Sequence, residues 1–112
     1  FIKRASERAS HVATVCTGSA LLAKTGLLDK RNATSNKIAF DWVKDLTSHV
    51  NWISKARWVE DGKFFTSSGV SAGMDMALGL IERIFNTDTA NEVARLTEYI
   101  WNSDKDHDPY GK

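Results

Sequence analysis

Cys16 is the only cysteine among 112 residues and the one side chain whose type and setting suit nucleophilic chemistry. It closes the β-branched apolar run Val12-Ala13-Thr14-Val15 and precedes Thr17, Gly18 and Ser19, which lead into the apolar run Ala20-Leu21-Leu22-Ala23. The first run suits a buried strand and the second a short helix. Cys16 therefore falls at a strand-to-helix corner, at the sheet edge where open α/β folds place their sites. Unpaired N–H groups and a partial positive charge at a helix start stabilise an anion. A thiolate is such an anion, and cysteine pKa values fall from about 8.5 to ~3.5–7.5 in such settings. Gly18 is expected to permit the sharp turn, and the Thr17 N–H to face a developing oxyanion. This is the logic of a nucleophile elbow with cysteine in place of serine. The same pattern also suits an inert buried thiol, since free cysteine is among the most buried residue types. The pattern leaves both readings open.

Bulk properties narrow the partners. A net charge of +1, with 26% charged residues, implies neither nucleic acid nor an anionic membrane surface. No apolar run approaches the ~18 residues of a membrane span. The opening FIKRASERAS lacks a signal peptide's apolar core, and one cysteine allows no internal disulfide and no CxxC metal site. A reducing, cytoplasmic setting is the expectation.

A corner of this kind needs a sheet and helices around it. Residues 1–10 read as the end of a helix, with Ile2, Ala5 and Ala9 on one face. The helix after the corner is expected to stop near Gly26, with Leu27 and Leu28 folding back on the core. Ala33, Thr34 and Ser35 suit a short strand. Ile38, Ala39, Trp42, Val43 and Leu46 mark an amphipathic helix capped by Asn36. Val50, Trp52 and Ile53 suit another strand, and Asp61-Gly62 between two β-like runs predicts a hairpin. Ser67 to Gly69 form a loop feeding a helix whose core face is Val70, Met74, Leu78, Ile81 and Phe85. A capping box of Thr89 and Glu92 opens a last helix in which Val93, Leu96 and Ile100 share a face. Residues 103–112 read as a solvated polar tail. His107 sits there among Asp104, Asp106 and Asp108, which are metal-ligand types in a sequence that favours solvent. Strands alternating with helices predict an α/β sandwich with a largely parallel sheet.

The stretches VCTGSALLAKTGLLDKRNATSN, WVEDGKFFTSSGVSAGMDMALGLI and EYIWNSDKDHDPYGK resemble the ThiJ/PfpI family of the class I glutamine amidotransferase-like superfamily. They follow the family's order and cover nearly the whole chain. The C-T-G-S version is more similar to the isonitrile hydratase-like branch than to the C-H-G branch, and TSNKIAFDWV resembles its fungal members. The resemblance implies a flavodoxin-like three-layer α/β sandwich. It implies that residues 1–112 are the C-terminal part of one such domain, a homodimer when complete. The N-terminal portion would carry an acidic partner of the cysteine and part of the oxyanion hole. An incomplete sheet leaves an edge and an apolar face uncovered, so poor stability in isolation is expected. Within the motif, Cys16 takes the nucleophile's place and Thr17 the place of an oxyanion donor. Where many relatives have histidine in T-T-H or T-S-H, this chain has Thr34-Ser35-Asn36, and Asn36 cannot serve as a general base. His11 and His49 lie outside the elbow, so no cysteine–histidine pair is expected.

The expected function is attack by Cys16 on a small electrophilic molecule. By analogy with the branch this is an isonitrile, and the chemistry needs no metal and no cofactor. Cys16 and Thr17 are the catalytic candidates. Gly18, Asn36, Ser68 and Gly69 are substrate-binding candidates, the last two serving equally well as loop and helix cap. The alternatives are glyoxalase-like action on 2-oxoaldehydes, oxidation sensing through the thiol, and a non-catalytic amidotransferase-like binding module or fragment.

Overall fold

The computed structural model describes residues 1–111; Lys112, the end of the expected polar tail, lies outside them. Its elements are α1 (Ile2–Arg8), β1 (Val12–Thr14), α2 (Gly18–Ala23), β2 (Asn32–Ala33), α3 (Phe40–Leu46), β3 (Asn51–Trp52), β4 (Trp58–Asp61), β5 (Phe64–Ser67), α4 (Val70–Ile84) and α5 (Thr87–Leu96).

Strand β5 is the centre of the main sheet, whose order is β1-β5-β4. It pairs parallel with β1, Val12 opposite Phe64, and antiparallel with β4, Asp61 opposite Phe64. Strands β2 and β3 form a second, parallel pair. Successive side chains of a strand point to opposite faces, and β5 uses this to make three layers. Phe64 packs with Leu22, Ala23, Leu28 and Val50, while Phe65 packs with Trp58 and Met76 of α4. One face of the sheet is thus covered by α2 and the chain after it, the other by α4. The fold is a mixed α/β sandwich with mostly parallel pairing, as expected. Gly79 makes the second contact possible: a Cβ there would stand 3.0 Å from the Trp58 ring. Among the described residues no helix is long and apolar enough to cross a membrane.

Several elements differ in detail from the sequence expectation. The hairpin turn is Gly62-Lys63, one residue later than Asp61-Gly62, with Gly62 at φ +59°. Glycine at the first central position of a two-residue turn matches the twist of the strands. Asp61 is thereby left inside β4, where its carboxylate accepts the Asn32 N–H at 2.8 Å and pairs with Arg31 at 3.1 Å. Among the described residues β1 ends the sheet and is half-exposed.

Helix α3 starts at Phe40, leaving Ile38 fully exposed and Trp42 largely so; its buried residues are Phe40 and Val43. Helix α4 is rotated from the expected stripe: Val70, Met74 and Phe85 are exposed, and Ala72, Gly73, Asp75, Met76, Leu78 and Gly79 are buried. Helix α5 is capped by Asn86, whose side chain accepts the Thr89 N–H, and Glu92 pairs with Arg95 instead of closing a capping box. Its buried face is Ala90 and Ala94, while Leu96 and Ile100 are exposed.

The C-terminal segment is docked instead of solvated. The Arg57 N–H donates to the Lys105 carbonyl, and the Asp108 N–H to the Lys55 carbonyl. Asp108 is buried beside Arg57, with 3.9 Å between their charged groups.

Candidate functional site

The corner between β1 and α2 is built from the backbone outward. Cys16 has φ +60°. For a non-glycine residue this left-handed conformation costs roughly 1–2 kcal/mol, so it persists only where the surroundings fix it. Here they do so on both sides of the residue. The Cys16 N–H donates to the Ser68 carbonyl at 2.8 Å, beyond the last paired residues Thr14 and Thr66 and one residue out of the β1–β5 register. The Cys16 carbonyl accepts from Ser35 Oγ at 3.0 Å and from Ser19 Oγ at 3.3 Å. Both serines are fully buried. The Cys16 side chain itself is partly exposed among the described residues.

The turn's geometry reassigns one expected role. The left-handed residue is Cys16 and not Gly18, which occupies the first position of α2 with a negative φ and room for a Cβ, 3.7 Å from Thr14. The close approach that does require glycine is at Gly73 of α4, where a Cβ would stand 2.7 Å from Val15 Cγ1. Helix α4 thus seats the residue before the cysteine. Helix α2 has only six residues, and its Gly18 N–H is already bonded to the Val15 carbonyl. Thr17 is exposed at the N-cap of α2, and its N–H has no acceptor among the described residues.

The remaining candidates gather beside this corner. Asn36, Lys37, Ile38, Ser68, Gly69 and Tyr110 line a cavity of about 210 Å³. Its walls are tied to the elbow twice: the Ser68 carbonyl holds the Cys16 N–H, and Asn36 follows Ser35 in the chain. Asn36 Oδ1 accepts the Ala39 N–H at 3.0 Å, but the N-cap of α3 is Ala39 and not Asn36 as expected, because the helix starts only at Phe40; Asn36 Nδ2 faces Gly69. Gly69 is the N-cap of α4. Asn36, Ser68 and Gly69 thus share one cavity; Cys16, Thr17 and Gly18 form the adjacent corner. A larger cavity of about 510 Å³ lies between the end of α3 and β3 and contains none of these residues. His11 packs edge-on against Phe65 and His49 is exposed in a loop, neither at the corner. Among the described residues no group of three His, Cys, Asp or Glu side chains could hold a metal, the His107 segment included.

The sequence reading missed three contributors to the site. Ser19 and Ser35 are ordinary polar residues whose partner, a carbonyl, leaves no trace in sequence. Lys37 is the third. Its Nζ donates to Thr34 Oγ1 at 2.5 Å and to the Ala56 carbonyl at 2.7 Å, which clamps the 34–37 segment to the start of β4. Burial lowers its pKa from 10.5 to about 8, partly opposed by the Asp108 carboxylate. A lysine with a lower pKa folded than unfolded binds fewer protons in the native state, so unfolding becomes harder as pH rises between those values. A neutral amine still has two N–H donors, matching its two acceptors. We expect urea denaturation to show stability rising from pH 8 towards 10.5, relative to a Lys37→Met variant. Parallel pH profiles for the two proteins would remove this account of Lys37.

A residue with positive φ at a strand-to-helix corner, with a partly exposed side chain, has the backbone geometry of a nucleophile elbow. The chain belongs to the DJ-1/PfpI family, whose model matches residues 1–83. It is 37% identical over 99 residues to the isonitrile hydratase of Pseudomonas putida; the match covers 88% of this chain and 42% of that protein. A ThiJ/PfpI family protein from Pseudomonas syringae superposes with a TM-score of 0.77 at 28% identity, over 90% of this chain and 40% of the other. Drosophila melanogaster DJ-1beta superposes with a TM-score of 0.74 over 89% of this chain and 53% of its own; at 23% identity this likeness shows the fold alone. The chain thus spans about half, or less, of the length of these relatives.

Proposed function

We propose that the protein is an isonitrile hydratase-like enzyme in which the Cys16 thiolate is the nucleophile. The observation that carries this reading is the left-handed φ of Cys16, held by hydrogen bonds to both its N–H and its carbonyl. Strain maintained at one reactive side chain is characteristic of a working site. The relative at 37% identity supplies the reaction class.

The chemistry balances with one thiol and one water. Cys16 Sγ bonds to the terminal carbon of R–N≡C, and a proton reaches that carbon, giving the thioimidate R–N=CH–S. Water then adds across the C=N bond. The resulting oxyanion collapses, the C–S bond breaks, and R–NH–CHO leaves with the thiol restored. Thr17 N–H is placed in this scheme as donor to the oxyanion. Gly18, Asn36, Ser68 and Gly69 are assigned to the substrate's surroundings.

The test has two parts. Cys16 alkylation followed against pH should give a thiolate pKa below the ordinary ~8.5 of cysteine. Isonitriles should then be converted to N-formamides, with methylglyoxal as the competing substrate. An ordinary thiol pKa with turnover of neither compound would end the enzymatic reading, and turnover of methylglyoxal alone would replace it with a glyoxalase-like one.

A further inference from the structure

Cys16 and Thr17 share one peptide unit. Its six atoms are coplanar, and in a trans peptide the C=O and the N–H point in opposite directions. No peptide bond in the described chain is cis. Whatever fixes the Cys16 carbonyl therefore also fixes the direction of the Thr17 N–H. Two hydroxyls fix that carbonyl, Ser35 Oγ at 3.0 Å from the segment after β2 and Ser19 Oγ at 3.3 Å from the first turn of α2. Both serine side chains are fully buried and the bonds they make are part-buried, which limits competition from water. The Thr17 N–H at the other end of the same unit is left without an acceptor.

We propose that Ser35 and Ser19 are positioning residues that aim and polarise the Thr17 N–H as an oxyanion donor, by pinning the opposite end of its peptide plane. This rests on the reading of Cys16 as a nucleophile. Hydrogen bonds accepted by a carbonyl draw electron density from its amide, so the N–H becomes a stronger donor. Two anchors from different elements also stop the peptide from swinging. A donor that is preorganised needs no reorientation when charge develops, and this makes such donors effective.

The experiment compares two reactions of the same sulfur. Acylation of Cys16 by p-nitrophenyl acetate forms the S–C bond through a tetrahedral oxyanion before p-nitrophenolate leaves. Alkylation by iodoacetamide displaces iodide in one step and forms no oxyanion. Removing an oxyanion donor outright costs about 10²–10³ in rate, so misaiming one should cost a fraction of that, roughly five- to twentyfold. Ser35→Ala should slow acylation by this factor and leave alkylation within about twofold; Ser19→Ala should act less, and the double variant more than either. Ser35→Thr keeps the hydroxyl donor and adds no second thiol, so its acylation-to-alkylation ratio should stay near wild type, which keeps the test decisive should the alanine variant fold poorly. Equal slowing of both reactions, or no change in either, overturns the proposal. If the acylation-to-alkylation ratio responds as stated and isonitriles are not hydrated, the positioning role stands and the hydratase reading falls.

Discussion

Cys16→Gly is expected to stabilise the fold slightly while lowering isonitrile hydration by at least about a thousandfold, the scale seen when a covalent nucleophile is removed. The two effects have separate causes. The left-handed backbone at φ +60° strains any residue with a Cβ, and glycine adopts it freely. Relief of roughly 1–2 kcal/mol is offset by the greater freedom of glycine in the unfolded chain, about 0.5–1 kcal/mol, leaving a net gain near 0.5–1 kcal/mol. The partly exposed cysteine side chain contributes little packing to set against this. Cys16→Ala is the control. It removes the sulfur but keeps the strain, so it should be equally inactive and gain nothing in stability. Urea denaturation of the three proteins separates these outcomes. If glycine proves no more stable than alanine at this position, the backbone there is unstrained, and the observation supporting a working elbow is lost.

The elbow was legible because its signals are local. A β-branched run, a cysteine, two small residues and an apolar helical run lie within twelve positions, and each has a direct backbone consequence. What was not legible depends on partners distant in sequence. The stripe Val70-Met74-Leu78-Ile81-Phe85 has the right helical period, yet only its Leu78 is on the buried face of α4, which is otherwise Ala72, Gly73, Asp75, Met76 and Gly79. Two glycines and one charge decide that rotation. Gly73 allows contact with Val15, Gly79 allows contact with Trp58, and Asp75 must reach Arg57. Similarly, Asp108 sits in a run that is polar throughout, and that run is docked by its backbone bonds to Arg57 and Lys55 and by the buried Arg57 beside Asp108. Periodicity reports where apolar residues are, and it carries no information on which buried charge needs a partner. Gly18 is the reverse case: a glycine beside a turn suggests that it makes the turn, yet Cys16 itself takes the positive φ and Gly18 starts α2.

Asp75→Ala is expected to cost about 3–5 kcal/mol, the penalty for breaking a buried ion pair by removing one partner. Against a typical total of ~5–15 kcal/mol, such a loss leaves little native protein at moderate temperature. Asp75 is fully buried, and its Oδ2 takes both Arg57 Nε at 2.8 Å and Arg57 Nη2 at 2.7 Å. Its Oδ1 accepts the Asn102 N–H at 3.0 Å, and its carbonyl accepts Trp101 Nε1 at 3.1 Å. One side chain therefore joins α4 to the residue before β4 and to the C-terminal segment. Asp75→Asn keeps the volume and an acceptor for Asn102, so it should cost less than alanine; what remains is the uncompensated guanidinium.

The double variant Asp75→Leu with Arg57→Met separates charge from connectivity. Removing both charges should recover part of the loss, because replacing a buried pair by apolar groups is often near neutral. Recovery should stop short of wild type, since Asp108 then loses its cation and keeps only Lys37 as a positive neighbour. Arg57 also reaches the elbow through its backbone: its carbonyl accepts the Ser68 N–H at 2.9 Å, and the Ser68 carbonyl holds Cys16. Partial unfolding around Asp75 should therefore appear at the β1–α2 corner as faster, less selective alkylation of Cys16. A cost below ~1 kcal/mol for Asp75→Ala would mean that Asp108 alone satisfies Arg57, and the buried pair would lose its place as the tie between α4 and the elbow.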